Sequence, residues 1–317
     1  MTETKKIKIL LTGSNGLLGQ SLCRNLMNSL DRFDFVATSK SKNICSYLDN
    51  AHFKALDVTD YLAVHRLVES YHPDIIIHTA AMSQVDYCEL HPEASRKVNV
   101  EGARNMALAC KSFKAHFIHL STDFVFDGSA GPYDEQAVPA PQSQYGKDKL
   151  ESELIVQSLL PEACILRTAL VFGWHPVLTR SNFLLWVKNS LEKGREINVV
   201  CDQFRTPTFV EELAAACLAA SEMKVSGIFH ISGKEFFSVY EFAQFIAGVF
   251  ELPQELIHPV ESSTINEMAR RPYITGFETG KAERILHFLH IPLQDALMDL
   301  RATIPQTEEW FSIVKSA

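Results

Sequence analysis

A doubly wound, mostly parallel α/β sheet is the fold class this sequence predicts, and three observations predict it. Short apolar runs alternate with longer segments of helical periodicity through the first half of the chain. The first apolar run ends in a loop with three glycines that opens directly into a helix-like segment. A later run, DIIIHTAA (74–81), is apolar almost without a break, as expected of a parallel strand covered on both faces. After residue 170 the alternation loosens, which predicts a sheet domain over 1–170 and a smaller, mixed C-terminal substrate lobe over 171–317, with chain crossings between them.

The elements follow in order. IKILLTG (7–13) is the first strand, and GLLGQSLCRNLMNSL (16–30) a helix with Leu18, Leu22, Leu26 and Leu30 on one face. DFVATS (34–39) and AHFKALDV (51–58) are the next strands. A helix then begins with Thr59 or Asp60 as N-cap and stops before Pro73. A helix over 92–112 leads to the strand AHFIHLSTD (115–123). In the lobe, SNFLLWVKNSLEKG, VEELAAACLAASEM and SVYEFAQFIAGVF read as helices between short strand pieces.

Composition bounds the function. The 317 residues are 46% hydrophobic and 21% charged, an ordinary balance for a globular chain with a sizeable core. A net charge of −8 argues against nucleic acid or an anionic membrane as partner. The seven cysteines are odd in number and form no CxxC, so reduced thiols in the cytosol are expected. The N-terminal apolar run is too short for a signal sequence and no apolar stretch spans a bilayer, so the expected location is cytoplasmic. The two histidines of HFIH (116–119) point to opposite faces of a strand and there is no HExxH, so no metal site is expected. Trp174, Trp186 and Trp310 read as packing residues, and a homodimer is compatible with the sequence.

The glycine loop, LLTGSNGLLGQSL, places Gly13, Gly16 and Gly19 between the first strand and the first helix. A dinucleotide site needs a tight turn, close backbone approach to the pyrophosphate and a helix N-terminus aimed at negative charge. The spacing is G-x-x-G-x-x-G, and its context makes the sheet Rossmann-type, with Asn15, Leu17 and Leu18 completing the loop. The second strand ends without the acidic residue that would grip a ribose 2′-hydroxyl. Ser39, Lys40 and Lys42 there suit a 2′-phosphate instead, which favours NADPH over NADH. Asp57, with Val58 beside it, is placed to accept a hydrogen bond from the adenine amino group.

In SQYGKDKLESE (143–153), Tyr145 and Lys149 stand four positions apart and share a helical face. An ammonium beside a phenol lowers its pKa, which suits a proton donor in carbonyl reduction. Upstream, the strand of HLSTDFVF ends at Thr122, whose hydroxyl could polarise the same carbonyl.

TGSNGLLGQ, HTAAMSQVD, Asn99, STDFVFDG and YGKDK occur in the order and spacing of the extended short-chain dehydrogenase/reductases. Within that superfamily the chain most resembles the dTDP-4-dehydrorhamnose reductase group, to which STDFVFDG with PYDE, NFLLWV, DQFRTPTFVEELA and RRPYITGFETGKAERIL are similar. The resemblance covers nearly the whole chain. It implies hydride transfer from NAD(P)H to the C4 ketone of a nucleotide-linked sugar, with Thr122, Tyr145 and Lys149 catalytic and Lys149 also holding the nicotinamide ribose. Ala80, Ala81 and Asn99 fall on cofactor or supporting positions. Ser83, Asp123, Asn182, Gln203, Arg205 and Arg271 fall on the substrate side.

Two positions depart from the group: Leu170 stands where it has tryptophan, and Arg205 where it has glycine. Arg205 reads either as a bidentate diphosphate ligand or as a salt bridge on the lobe surface, and Arg270 and Arg271 carry the same two readings. Phe124 after Asp123 removes the second carboxylate that a sugar dehydratase needs. A nucleotide-sugar epimerase uses the same Thr/Tyr/Lys set. The regulatory subunit of methionine adenosyltransferase shares the fold and keeps Tyr and Lys, so both alternatives stay open.

Overall fold

The computed structural model describes residues 5–178 and 180–305; Trp310 lies outside them. Seven parallel strands form the central sheet: β1 (Ile7–Thr12), β2 (Phe33–Ser39), β3 (Phe53–Ala55), β4 (Ile75–His78), β5 (His116–Thr122), β6 (Cys164–Thr168) and β7 (Gly227–Ile231). Their order is β7-β6-β5-β4-β1-β2-β3, every pairing parallel. The order reverses between β1 and β4, and the crevice outside the carboxyl ends of these two strands is where such sheets bind ligands.

Successive side chains of a strand point to opposite faces, so an apolar run feeds two cores. Ile9, Leu11, Ile75 and Ile77 join Leu22 and Leu26 of the Leu17–Met27 helix and Leu213 and Cys217 of the Val210–Met223 helix. Leu10 and Ile76 join Val64 and Val68 of the Tyr61–Tyr71 helix and Met106 and Cys110 of the Gly102–Phe113 helix. The lobe has its own core around Phe172, Leu185, Phe209, Phe242, Ile246 and Leu297. Three two-stranded ladders brace it: Val171–Phe172 with Thr208–Phe209, Phe204–Arg205 with Phe237–Ser238, and Ile197–Val200 with Ile257–Val260.

Several boundaries differ from the sequence expectation. The first helix ends at Met27, leaving Leu30 beyond it though still packed on the core, and β3 is cut to three residues. Past the division at 170, where chain crossings are expected, residues 210–231 supply a helix to one face of the sheet and its edge strand β7. The segment expected as one helix over 92–112 is helical over Pro92–Arg96, π-helical over Lys97–Glu101 and helical again over Gly102–Phe113. Such π-turns shift the side-chain register and often occur where a residue must be aimed at a site. Here the turn holds Asn99. Trp174 is half-buried against the lobe core and Trp186 is partly exposed beside Phe183.

Helix starts follow capping chemistry. Asp60 accepts from the Ala63 N–H at 3.0 Å, and Ser143 from Gly146 at 3.2 Å to open the Gln144–Leu159 helix. That helix buries polar side chains, including Asp148, Lys149, Ser152 and Glu153. Glu153 grips Arg167 of β6 bidentately, at 2.6, 3.0 and 3.2 Å, with both residues at most 2% exposed. Breaking such a pair leaves an uncompensated buried charge, whereas replacing both partners by apolar groups is often neutral. Arg167→Met is therefore expected to lower stability by about 3–5 kcal/mol in urea denaturation, and Glu153→Leu/Arg167→Met to recover most of it. Additive losses would show that the two residues act independently.

Candidate active site

A cleft of about 1040 Å³ opens along the carboxyl ends of the strands. Its floor at β1 is the glycine loop. Gly19 must be glycine because a Cβ there would run into the Gly13 carbonyl and Ser14, so it allows the first helix to approach the strand. Gly16 caps that helix without a side chain, which leaves its first-turn N–H groups facing the cleft as donors for an anion. Asn15 lines the cleft too, but its amide does structural work. It donates to Ser41 Oγ at 3.0 Å and to the Lys42 carbonyl at 2.8 Å, and accepts from Ile44 at 3.2 Å. It thereby shapes the loop after β2 that presents Ser39, Lys40 and Ser41 to the cleft.

Asp57 also lines the cleft, already engaged by Thr59 at 2.8 Å and Lys40 at 2.9 Å. Burial pushes its pKa up, but Lys40 and Thr59 outweigh this and hold it below the ordinary carboxylate range. The far wall is the loop after β4, with Ala80, Ala81 and Ser83. Asn99 is not part of the lining. From the π-helical turn it accepts from the Met82 N–H at 2.8 Å and donates to the Met82 carbonyl at 3.0 Å, which fixes that loop from behind. The residues present therefore fit a dinucleotide: uncapped helix N–H groups suited to a pyrophosphate, hydroxyls and a lysine at the end of β2, and a carboxylate able to accept from a base amino group.

Thr122 at the end of β5 and Tyr145 and Lys149 on the Gln144–Leu159 helix all line the cleft. Gly146 makes this possible, because a Cβ there would collide with the Phe124 carbonyl in the turn after β5. Tyr145 does not show the lowered pKa expected from Lys149. Burial raises it, with Asp123 adding to the rise, while the hydrogen bond with Thr122 opposes it. The reason is side-chain direction. Lys149 Nζ turns to the sheet, donating to the Leu120 carbonyl at 2.6 Å and lying 3.2 Å from His119 Nε2. Burial brings the lysine down to about 8, with Glu153 opposing the drop.

Beneath it, His119 stacks on His78 at 5.6 Å, and burial keeps both imidazoles well below their ordinary pKa. His119 Nε2 also meets Ser152 Oγ at 2.9 Å. Sequence reasoning left these histidines unassigned, since strand alternation alone does not show which partner a buried ring will meet.

The substrate-side expectations divide. Ser83, Asp123 and Asn182 line the cleft, although Asn182 spends its amide capping the Phe183–Glu192 helix through Leu185 at 3.2 Å and donating to the Gly173 carbonyl at 2.8 Å. Gln203, Arg205 and Arg271 do not line it. Arg205 is neither a diphosphate ligand nor a surface pair: it is 4% exposed, ion-paired with Asp123 and bonded to three backbone carbonyls. Arg271 is paired with Asp86 at 2.7 Å and Glu267 at 3.2 Å. The arginine that does line the cleft is Arg180, exposed and without an ion pair among the described residues. No motif or periodicity marks it, because it sits in an irregular loop. Leu170, at the position where the group has tryptophan, lines the cleft in a left-handed conformation (φ 40°).

Fold and site together define a Rossmann protein of the extended short-chain dehydrogenase/reductase class. Residues 7–304 match the family described as RmlD substrate binding domain, and the chain belongs to that family. A dTDP-4-dehydrorhamnose reductase from Bacillus anthracis, solved in complex with NADP, is 29% identical with a TM-score of 0.83, over 95% of this chain and 100% of that one. Methionine adenosyltransferase 2 subunit beta of Xenopus tropicalis is 31% identical over 88% of this chain and 82% of its own length. A probable low-salt glycan biosynthesis reductase, Agl14, of Haloferax volcanii is 31% identical over 92% and 96%.

The buried lysine generates a pH expectation. An ammonium with a pKa near 8 is charged below that value and loses its charge as pH rises through it. Any step that needs the charge should therefore fall off on the alkaline side, around pH 8, in a plot of turnover against pH. Lys149→Arg, which keeps its charge, should lack that limb, and a limb unchanged in this variant would assign it to another group.

Proposed function

We propose that this protein is an NADPH-dependent reductase acting on the 4-keto group of a nucleotide-diphosphate deoxysugar. One observation carries the reading: a single continuous cleft contains both the uncapped glycine loop and the Thr122, Tyr145 and Lys149 side chains. The bound dinucleotide supplies the hydride. Tyr145 gives its proton to the sugar oxygen, and Thr122 turns onto that oxygen the single hydroxyl proton it otherwise gives to Asp123. An alkoxide is far more basic than a phenolate, so even a phenol held above its usual range yields its proton downhill. Lys149, buried one turn further along, keeps positive charge near the phenolate and orients the cofactor ribose. Ser39, Lys40 and Ser41 favour the 2′-phosphate of NADPH over NADH. Six buried cysteines and one half-buried, all unpaired, support a reducing, cytoplasmic setting.

Arg180 takes the role expected of Arg205 and Arg271. It is the cleft-lining arginine whose guanidinium is unspent among the described residues, and it suits a diphosphate. Losing one charge-assisted hydrogen bond costs about 1.5–3 kcal/mol. Arg180→Ala should therefore raise KM for the nucleotide sugar roughly 10- to 100-fold while leaving kcat and the KM for NADPH near wild type. A larger effect on NADPH than on the sugar would move Arg180 to the cofactor half.

The methionine adenosyltransferase subunit among the relatives favours a second reading, a cofactor-binding regulatory subunit. NADPH oxidation with dTDP-4-keto-6-deoxysugars separates the two. Tyr145→Phe should lower kcat by about 10²- to 10⁴-fold, the range for removing a general acid. Tight NADPH binding with no turnover on any nucleotide ketosugar would sink the reductase reading.

A further inference from the structure

Asp123 follows the candidate catalytic threonine directly and is 2% exposed. Its Oδ1 accepts from the Thr122 hydroxyl at 3.1 Å, and its Oδ2 accepts from Thr275 Oγ1 at 2.5 Å and lies 3.3 Å from Arg205 Nε. Arg205 is clamped from the lobe side. Its Nη1 donates to the carbonyls of Phe204 at 2.8 Å and Tyr273 at 3.0 Å, and Nη2 to that of Pro272 at 2.7 Å. The guanidinium also lies over the Phe124 ring at 5.9 Å. These bonds tie two lobe segments, 204–205 and 272–275, to the end of β5. No substrate is needed to explain them, and none of the arginine's donors faces the cleft.

We propose that Arg205 is a positioning residue, whose pairing with Asp123 offsets the charge of a carboxylate buried beside the reacting centre and keeps the Thr122 hydroxyl at that centre. The inference rests on the reductase reading for its catalytic consequence, but not for its electrostatics. When Tyr145 gives up its proton, a phenolate forms next to Asp123. Two buried anions side by side repel, and the cationic guanidinium offsets part of the Asp123 charge, so the phenolate meets less opposing charge than an unpaired carboxylate would present. The other groups around this pair act more weakly. Thr122 and Thr275 donate to Asp123, while Arg271 and Glu267 act on Arg205 with opposite signs. Burial raises the Asp123 pKa and Arg205 counters that rise, consistent with this arrangement. The glycine that the reductase group carries at this position could not supply such a charge.

The test is Arg205→Gln, read in two ways. Isotope-edited NMR of the Asp123 carboxyl, assigned with Asp123→Asn, needs no turnover. It should show Asp123 titrating at higher pH than in the wild type. An unmoved titration overturns the inference whatever the substrate proves to be. If ketosugar reduction is observed, kcat of Arg205→Gln relative to wild type should be lowest at alkaline pH, by about tenfold, falling beyond any limb the wild type shows as Asp123 ionises without its partner. Asp123→Asn/Arg205→Gln should lose that fall, because no carboxylate remains. A loss of kcat that is the same at every pH, accompanied by a lower Tm, would make Arg205 merely structural and overturn the proposal. Should Arg205→Gln fail to fold, Arg205→Lys decides. With its charge kept, its pH profile should follow the wild type, and a Gln-like alkaline fall would overturn the proposal.

Discussion

The bidentate contact between Glu153 and Arg167 holds the Gln144–Leu159 helix against the sheet, and the site depends on where that helix lies. An apolar stripe could not have fixed it so narrowly, because a greasy helix can slide or rotate on a greasy sheet at modest cost. This helix is seated instead by polar pairs. Besides Glu153, Asp148 accepts from Ser95 at 2.6 Å, Ser152 meets His119 at 2.9 Å, and Lys149 reaches the Leu120 carbonyl at 2.6 Å. Each buried polar group is expensive to leave unpaired, so a displaced helix would lose several partners at once.

That seating also decides the electrostatics of the site. Four residues of helix place Tyr145 and Lys149 on one face, but their tips diverge: the phenol goes to Thr122 and the ammonium to β5. Burial then acts on each separately, raising the neutral acid and lowering the cation. The cleft thus holds a protonated phenol and a lysine near its titration point.

The arginines show the limits of reading charge from sequence. Arg180, Arg205 and Arg271 all lie in the half expected to hold the substrate, and two of them had motif support. In the fold those two are spent on Asp123, Asp86, Glu267 and backbone carbonyls, and the unheralded Arg180 faces the cleft. A buried cation whose donors are spent on protein acceptors has little left to offer a ligand. Acceptors such as the carbonyls of Pro272 and Tyr273 come from residues more than sixty positions away from Arg205.

What the sequence determined by itself was local and periodic. Strand alternation, glycine spacing and a cap at Thr59 or Asp60 gave the parallel sheet, the dinucleotide loop and the positions of Thr122, Tyr145 and Lys149. These depend on residues close in the chain, whose geometry a helix or strand dictates. Only the tertiary structure decided the rest: the π-turn that aims Asn99 at Met82, the return of residues 210–231 to the sheet, and the pairing of Asp123 with Arg205. Each joins residues far apart in sequence, and their energies come from burial and partner choice, which no local pattern encodes.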